Sequence, residues 1–252
     1  VRAEREVILS AGAINSAALL LRSASDQHPR GLANGSDVVG RHYMGHVNSV
    51  LMAVSRCPNP TVFQKTIGVN DFYRESGDAG FPWPLGHVQL LGKVTGKVLA
   101  AQRPRLPRRL AQWSGRHSVD WWLTTEDLAS PDNRVTLSEE GRIRLSYAPN
   151  NLEAHARLLS RWRAILRRID YPLLFTQTLG IEAVAHQVGT ARFGSDPATS
   201  VLDPYCRAHQ LDNLYIVDGS FMPSIAAVNP SLTIMAQALR VAGHIETRFA
   251  HG

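Results

Sequence analysis

The segment 213–239 constrains the fold most, because it joins a short apolar run to a long apolar helix through a turn. The run Leu214–Val217 is β-branched and aromatic and has the length of a strand. A continuous apolar run of this kind is typical of a strand that is buried on both faces of a parallel sheet. It ends at Asp218 and Gly219. Ligands of open α/β sheets lie beyond the carboxyl ends of the strands, so we expect a ligand near Asp218.

A helix is predicted directly after Asn229. Asn is a favoured N-cap and Pro is favoured at the first helical position, so Asn229 and Pro230 mark the start. The segment Ser231–Glu246 is apolar on most of its faces, which predicts a buried helix. The N-terminus of a helix carries unsatisfied N–H groups and about half a positive charge. It can therefore stabilise a developing anion.

Two stretches resemble the glucose–methanol–choline (GMC) family of flavin oxidoreductases. Residues 213–224 and 228–245 read NLYIVDGSFMPS and VNPSLTIMAQALRVAGHI, which is similar to the C-terminal signature of that family. Residues 186–203 read HQVGTARFGSDPATSVLD, which is similar to its HxxGT segment. The two matches also have the order and the separation that the family shows. The resemblance implies FAD as the cofactor.

The resemblance also implies a mixed α/β (α+β) fold. We expect part of a Rossmann-like FAD-binding domain in the segments 1–40 and 209–252, and an antiparallel-sheet substrate-binding domain over 41–208. Short strand-like pieces separated by Pro and Gly across Gly45–Leu91 favour antiparallel strands independently of the resemblance.

A strand–turn–helix unit is predicted near the start of the sequence. Val7–Leu9 is a short strand, Gly12 lies in a tight turn, and Ala13–Arg22 is helical. Gly12 would let a ligand approach the backbone closely. The sequence alone favours a simpler explanation, in which Gly12 only permits packing of the helix on the strand. The resemblance instead implies that Ala11 and Gly12 lie along the cofactor.

Three further elements follow from spacing and turn residues. They are a pair of solvated helices within Val94–His117, a hairpin from Arg134–Leu137 to Arg142–Leu145, and an amphipathic helix over Asn150–Ile169. The net charge is +6. Because no basic motif interleaved with aromatic residues occurs, we interpret the arginines as a solvated surface and predict no binding of nucleic acid.

The reaction that the resemblance implies is oxidation of an alcohol, a CH–OH donor, by hydride transfer to flavin N5. His186 matches the active-site histidine of the family, and a neutral imidazole is suited to accept the hydroxyl proton. Asn229 matches a second polar residue opposite it, whose NH₂ group would donate to the substrate oxygen. Without the resemblance, His186 is one histidine among ten and Asn229 is simply an N-cap.

The resemblance also implies which residues hold the cofactor. Asp218 and Gly219 match the segment that contacts the ribityl and pyrophosphate portion of FAD. Asn229, Pro230 and Ser231 match the stretch under the pyrimidine edge of the isoalloxazine. A strand-end Asp is equally able to cap the following turn, so that alternative stays open for Asp218. No metal site is predicted.

GMC chains are longer than 252 residues and hold the ADP half of FAD with a glycine-rich turn. No G-x-G-x-x-G occurs here, and the sequence begins with Val1. We therefore expect the C-terminal half of such an enzyme, in which the first half of the FAD domain is absent. The missing N-terminal half is a candidate partner as a separate chain.

Two alternative functions stay open from the sequence. One is a lyase or a decarboxylase on the same scaffold, and the other is a fragment that neither binds FAD nor catalyses a reaction on its own. The expected partner of the main hypothesis is a small alcohol or sugar. No membrane span is predicted, and two distant cysteines are compatible with a reducing compartment, so the cytoplasm is the expected location.

Overall fold

The computed structural model describes residues 5–63 and 65–250. The strands are β1 Val7–Leu9, β2 Val47–Val54, β3 Gly68–Val69, β4 His87–Leu90, β5 Ser118–Thr125, β6 Arg134–Leu137, β7 Ile143–Ser146, β8 Leu173–Thr178 and β9 Leu214–Ile216. The α-helices are α1 Ala13–Arg22, α2 Gly96–Gln102, α3 Arg108–His117, α4 Leu152–Arg168 and α5 Ser231–Ala250. Among the described residues, no helix has the length and apolar content that a membrane span requires.

The chain forms two compact units. Unit 1 comprises Val1–Gly45, Asp127–Asn150 and Ala185–Gly252, and unit 2 comprises His46–Glu126 and Asn151–Val184. The sequence predicted a single central domain over 41–208. By their contacts, the pieces 127–150 and 185–208 pack with unit 1 instead.

Main-chain hydrogen bonds explain why these two pieces join unit 1. The N–H of Gly40 donates to the oxygen of Thr190 at 2.7 Å, and the N–H of Val135 donates to the oxygen of Gly40 at 2.8 Å. Both bonds connect positions that are far apart in sequence. The pieces around Val135 and Thr190 are therefore bound to the segment that ends at Gly45.

Unit 1 contains a two-stranded parallel sheet of β1 and β9, in which Val7 pairs with Leu214 and Leu9 with Ile216. All three residues of β9 are buried, as the apolar run predicted. In β1, by contrast, the Ile8 side chain is 58% exposed. The hairpin β6–β7 is confirmed, with its second strand one residue later than predicted.

Unit 2 contains the antiparallel sheet, with strand order β3-β4-β5-β2-β8. The helix α4 packs on this sheet through one stripe, because Leu158, Trp162 and Leu166 are buried at helical spacing. Trp162 meets Trp121 of β5 edge to face, with ring centroids 4.7 Å apart. The mixed α/β fold with an antiparallel sheet is thus confirmed, as is the amphipathic helix.

The prediction that the helix after Asn229 is buried is wrong for the described chain. Within α5, Val241 is buried, and Ile234 packs partly against the core of unit 1. Leu232, Met235 and Leu239 are 75%, 57% and 76% exposed. These three residues lie on one side of the helix, and we call them the outer stripe. The described chain covers only the opposite side of α5, so apolar composition overestimated the burial.

Candidate active site

The two residues predicted to be catalytic lie side by side. The Nδ2 atom of Asn229 is 3.2 Å from the Nε2 atom of His186, although the residues are 43 positions apart in sequence. Both belong to unit 1. His186 is partly buried and Asn229 is exposed. The described chain therefore leaves this pair accessible to solvent.

Main-chain hydrogen bonds hold the segment that contains His186 next to the turn that follows β9. The N–H of Gly189 donates to the oxygen of Gly219 at 3.2 Å, and the N–H of Ala191 donates to the oxygen of Ser220 at 3.0 Å. The HxxGT segment therefore runs alongside the turn that follows β9. This arrangement brings the two sequence motifs together in one place.

Two glycines make this close approach possible. A Cβ atom on Gly219 would lie 2.6 Å from the main-chain oxygen of Gln187, beside His186. Gly189 has a φ of +97°, and a Cβ atom there would lie 2.2 Å from the oxygen of His42. Neither position accepts a side chain without a shift of the backbone. The glycines of both motifs are thus required by packing around the candidate site.

The same segment is tied to the start of α1. The hydroxyl of Thr190 donates to the main-chain oxygen of Ala13 at 2.6 Å, and Thr190 is fully buried. No role was predicted for Thr190 from the sequence, although it is the last residue of the HxxGT pattern. We interpret it as the residue that holds the Gly189 turn against α1.

Gly12 begins α1 with a φ of +84°, and a Cβ atom there would meet nothing within 4 Å. Close packing of the helix on the strand is therefore not the reason for glycine at this position. The positive φ is the reason, because residues with a side chain rarely adopt it. The space beside Gly12 is open and Ala11 is exposed, which suits the approach of a ligand.

Asp218 is 6% exposed and lies at the end of β9. Its Oδ1 atom accepts the N–H of Ser220 at 2.8 Å, which caps the short 3-10 turn Gly219–Phe221. The turn-capping alternative from the sequence is therefore confirmed. Its Oδ2 atom accepts the N–H of Gly12 at 2.9 Å, so the same carboxylate also reaches the turn before α1.

The helix α5 starts at Ser231, and the N–H of Ile234 donates to the oxygen of Pro230 at 3.0 Å. Pro230 therefore occupies the N-cap position, and Asn229 is the residue before the N-cap rather than the N-cap that the sequence predicted. Ser231 is exposed at the positive end of the helix. The chain therefore offers a positive helix end directly beside His186 and Asn229.

A second histidine stands close to the Gly189 turn but adds no charge there. Burial, followed by the charges of Arg192 and Arg41, lowers the pKa of His42 to about 4. His42 is therefore neutral at pH 7. The start of α5 carries the partial positive charge of a helix N-terminus, which favours a group that gains negative charge.

Several known proteins share sequence with this chain. Residues 129–238 match the family model described as GMC oxidoreductase. The chain is 33% identical to 6'''-hydroxyparomomycin C oxidase of Streptomyces lividus, over 98% of this chain and 45% of the relative. It is 31% identical to paromamine 6'-oxidase of Streptomyces fradiae, over 97% of this chain and 46% of the relative. The chain belongs to the GMC oxidoreductase family.

Solved structures show the same fold. Pyridoxine 4-oxidase from Mesorbium loti superposes with a TM-score of 0.64 at 21% identity, over 96% of this GMC chain and 51% of that chain. A formate oxidase from Aspergillus oryzae gives 0.64 at 16% identity, over 98% and 55%. This GMC chain therefore spans about half the length of the relatives it matches, and FAD is the cofactor of its family.

Proposed function

We propose that this chain is part of a FAD-dependent enzyme that oxidises an alcohol, with His186 as the base. The observation that carries the proposal is the contact between His186 and Asn229 beside the positive end of α5. When bound, FAD supplies the hydride acceptor, its N5 atom. Ala11, Gly12, Gly219, Pro230 and Ser231 are the residues proposed to hold it.

The role of His186 is to remove the hydroxyl proton of the alcohol. A carboxamide nitrogen only donates, so its contact with Nε2 is a hydrogen bond when the lone pair of the imidazole is on Nε2 and the proton is on Nδ1. In that tautomer the basic nitrogen of His186 is the one beside Asn229. When the alcohol binds, its hydroxyl group takes the place of Asn229 at Nε2, and the NH₂ group of Asn229 donates to the alcohol oxygen.

The test is His186→Ala in the flavin-loaded enzyme. Loss of a positioned base should slow reduction of the flavin by the alcohol about 10²–10⁴-fold in an anaerobic single turnover. The visible absorption of the flavin should stay unchanged. His28→Ala is a matched control in the same unit, and it should reduce its flavin at the wild-type rate. Equal rates in wild type and His186→Ala would end the proposal.

We infer that the substrate is a compound with several hydroxyl groups. The inference is supported by the names of relatives aligned over at least 94% of this chain, which include paromamine 6'-oxidase, 2-methyl-1,2-propanediol dehydrogenase and fructose dehydrogenase. A panel of paromamine, 2-methyl-1,2-propanediol and fructose, with flavin bleaching as the readout, separates these possibilities. A flavin that no alcohol bleaches would favour the lyase alternative.

We further propose that the outer stripe of α5 is covered by the N-terminal half of the FAD-binding domain, either on a longer polypeptide or as a separate chain. Two observations support this. The side chains of the stripe and Ile8 of β1 are apolar and are exposed in the described part of unit 1. The curated relatives are about twice as long as the region that this chain matches. Exposed apolar surface of this kind marks an interaction site.

A further inference from the structure

The carboxylate of Asp218 has no acceptor capacity left. Its Oδ2 atom accepts the N–H of Gly12 and the hydroxyl of Ser16. Its Oδ1 atom accepts the N–H and the hydroxyl of Ser220. A carboxylate has about four lone-pair sites, and these four donors fill them. A hydroxyl group of a ligand could bind this carboxylate only by displacing one of its protein partners.

The four donors belong to the two turns that the proposed function assigns to the cofactor. Gly12 and Ser16 lie at the start of α1, and Ser220 lies in the turn after β9. Gly12 and Asp218 are 206 positions apart in sequence. One buried charge therefore fixes two distant pieces of backbone relative to each other.

The hydroxyl of Ser16 extends the same network. It donates to Asp218 and accepts the N–H of Ala11 at 3.2 Å. Ser16 is fully buried, so its hydroxyl is enclosed by protein. Asp218 thus holds the N–H of Gly12 directly and that of Ala11 through Ser16, while the space that a Cβ atom on Gly12 would enter stays open.

We propose that Asp218 is a positioning residue that fixes the Gly12 turn beside the Gly219 turn, and that its carboxylate does not bind the cofactor. The inference rests on the proposed function, since it concerns the same site. It changes the role predicted for Asp218 from the sequence. Any contact of this residue with FAD is then made by its main chain.

The electrostatics support this role. The N-terminus of a helix favours a negative charge, and the carboxylate of Asp218 lies at the N-terminus of α1 and accepts hydrogen bonds there. The positive end of α1 is therefore already compensated by a charge of the protein. The positive end of α5 has no such carboxylate among the hydrogen bonds of the described residues. It is the end that remains for an anionic ligand.

The test compares amide hydrogen exchange in the flavin-free chain by NMR. Asp218→Asn keeps the shape of the side chain but replaces one acceptor oxygen with a donor, so one of the two turns loses its acceptor. The amide of Gly12 or of Ser220 should then exchange about tenfold faster or more, as expected for a lost hydrogen bond to a charged group. Binding of FAD, followed by quenching of its fluorescence, should weaken several-fold.

Asp203→Asn is the matched control. Asp203 lies in the same unit and accepts the N–H groups of Tyr205 and Arg207 at 2.8 and 3.0 Å, but it serves only its own loop. The control should leave exchange at Gly12 and the affinity for FAD at wild-type values. If Asp218→Asn does not fold, Ser16→Ala tests the same network, because it should speed exchange of the Ala11 amide.

The outcomes separate the inference from the proposed function. Unchanged exchange at both Gly12 and Ser220 in Asp218→Asn would overturn the inference. Unchanged exchange together with lost FAD binding would also overturn it, because the carboxylate would then be a direct ligand. If the wild-type chain takes up no FAD, that result counts against FAD binding by the isolated chain. The exchange rates still decide the role of Asp218 in that case.

Discussion

The helices α4 and α5 have similar apolar content but opposite surroundings. In α4, the apolar residues repeat at helical spacing, and Leu158 and Leu166 are completely buried against the sheet of unit 2. In α5, apolar residues occur on most sides, yet Leu232 and Leu239 remain about three-quarters exposed. The difference teaches that the described part of unit 2 covers the apolar stripe of α4, whereas the described part of unit 1 covers only one side of α5.

The polar groups inside the two units differ in the same way. In unit 2, His155 is 4% exposed and bridges Ser49 and Thr125, with its ring nitrogens 2.7 and 2.9 Å from their hydroxyl oxygens. This network is neutral and is enclosed between α4 and the sheet. In unit 1, the charged network of Asp218 borders an open space at Gly12. The enclosed network serves stability, and the open one lies where a ligand is proposed.

The comparison predicts the largest effect for a core leucine. Leu158→Ala in α4 should lower the free energy of unfolding of unit 2 by about 3 kcal/mol, because it removes a fully buried side chain and leaves a cavity. The same change at Leu239 in α5 should alter the stability of unit 1 by less than about 0.5 kcal/mol.

All five tryptophans lie in unit 2, so their emission during urea unfolding reports on that unit alone. Amide hydrogen exchange reports on unit 1. Both substitutions replace a helical leucine by alanine, so the difference between them measures burial. A loss above about 2 kcal/mol at Leu239 would contradict the exposed outer stripe.

The second prediction concerns pH and unit 2. Burial lowers the pKa of His155 from 6.5 to about 4. Between these values the unfolded chain binds a proton that the folded unit does not, so stability is complete above pH 6.5 and falls as the pH drops towards 4. The expected loss is about 3 kcal/mol, from 1.36 kcal/mol per pKa unit. Tryptophan emission at a series of pH values measures it.

His155→Gln is the control for that pH dependence. Glutamine retains hydrogen-bonding groups but does not titrate, so the variant should lose less stability than the wild type between pH 6.5 and 4. A difference between wild type and variant that does not change with pH would show that His155 is not the responsible group. Carboxylates that titrate in the same range cancel in this difference.

The smallest effect on stability is expected at the outer stripe. Leu239→Asp should change the free energy of unfolding by no more than about 1 kcal/mol, because the side chain is 76% exposed. It should, however, lower the binding of an apolar fluorescent dye to the chain. Leu110→Asp on α3, where the leucine is 47% exposed, is the control and should retain dye binding. Equal dye binding in both variants would remove the support for a docking surface on α5.

The sequence predicted much of the local structure, because strands and helices depend on nearby residues. The strand Val7–Leu9 and the helix Ala13–Arg22 have the bounds that were predicted. The two motifs also indicated His186 and Asn229, whose side chains are 3.2 Å apart in the structure. The proximity of these two side chains could be predicted only through the family resemblance. The roles assigned to them stay predictions.

The remaining features depend on contacts between distant positions, which no local pattern reveals. The exposure of the outer stripe depends on what the rest of the chain does not cover, and apolar composition alone favoured burial. The saturation of Asp218 depends on Gly12 and Ser16, more than two hundred positions earlier. The contact of the buried Thr190 hydroxyl with α1 could have been suspected only from the position of Thr190 in the HxxGT pattern.

The bond between Gly12 and Asp218 has a consequence for folding during synthesis. The ribosome adds about 5–20 residues per second. Asp218 lies 206 positions after Gly12, so it is synthesised roughly 10–40 s after its hydrogen-bond partner. Contacts of such long range also slow folding in free solution. Unit 2 lies entirely within the intervening sequence and is complete before then. A nascent chain halted before Asp218 should therefore contain a folded unit 2 and an unfinished unit 1.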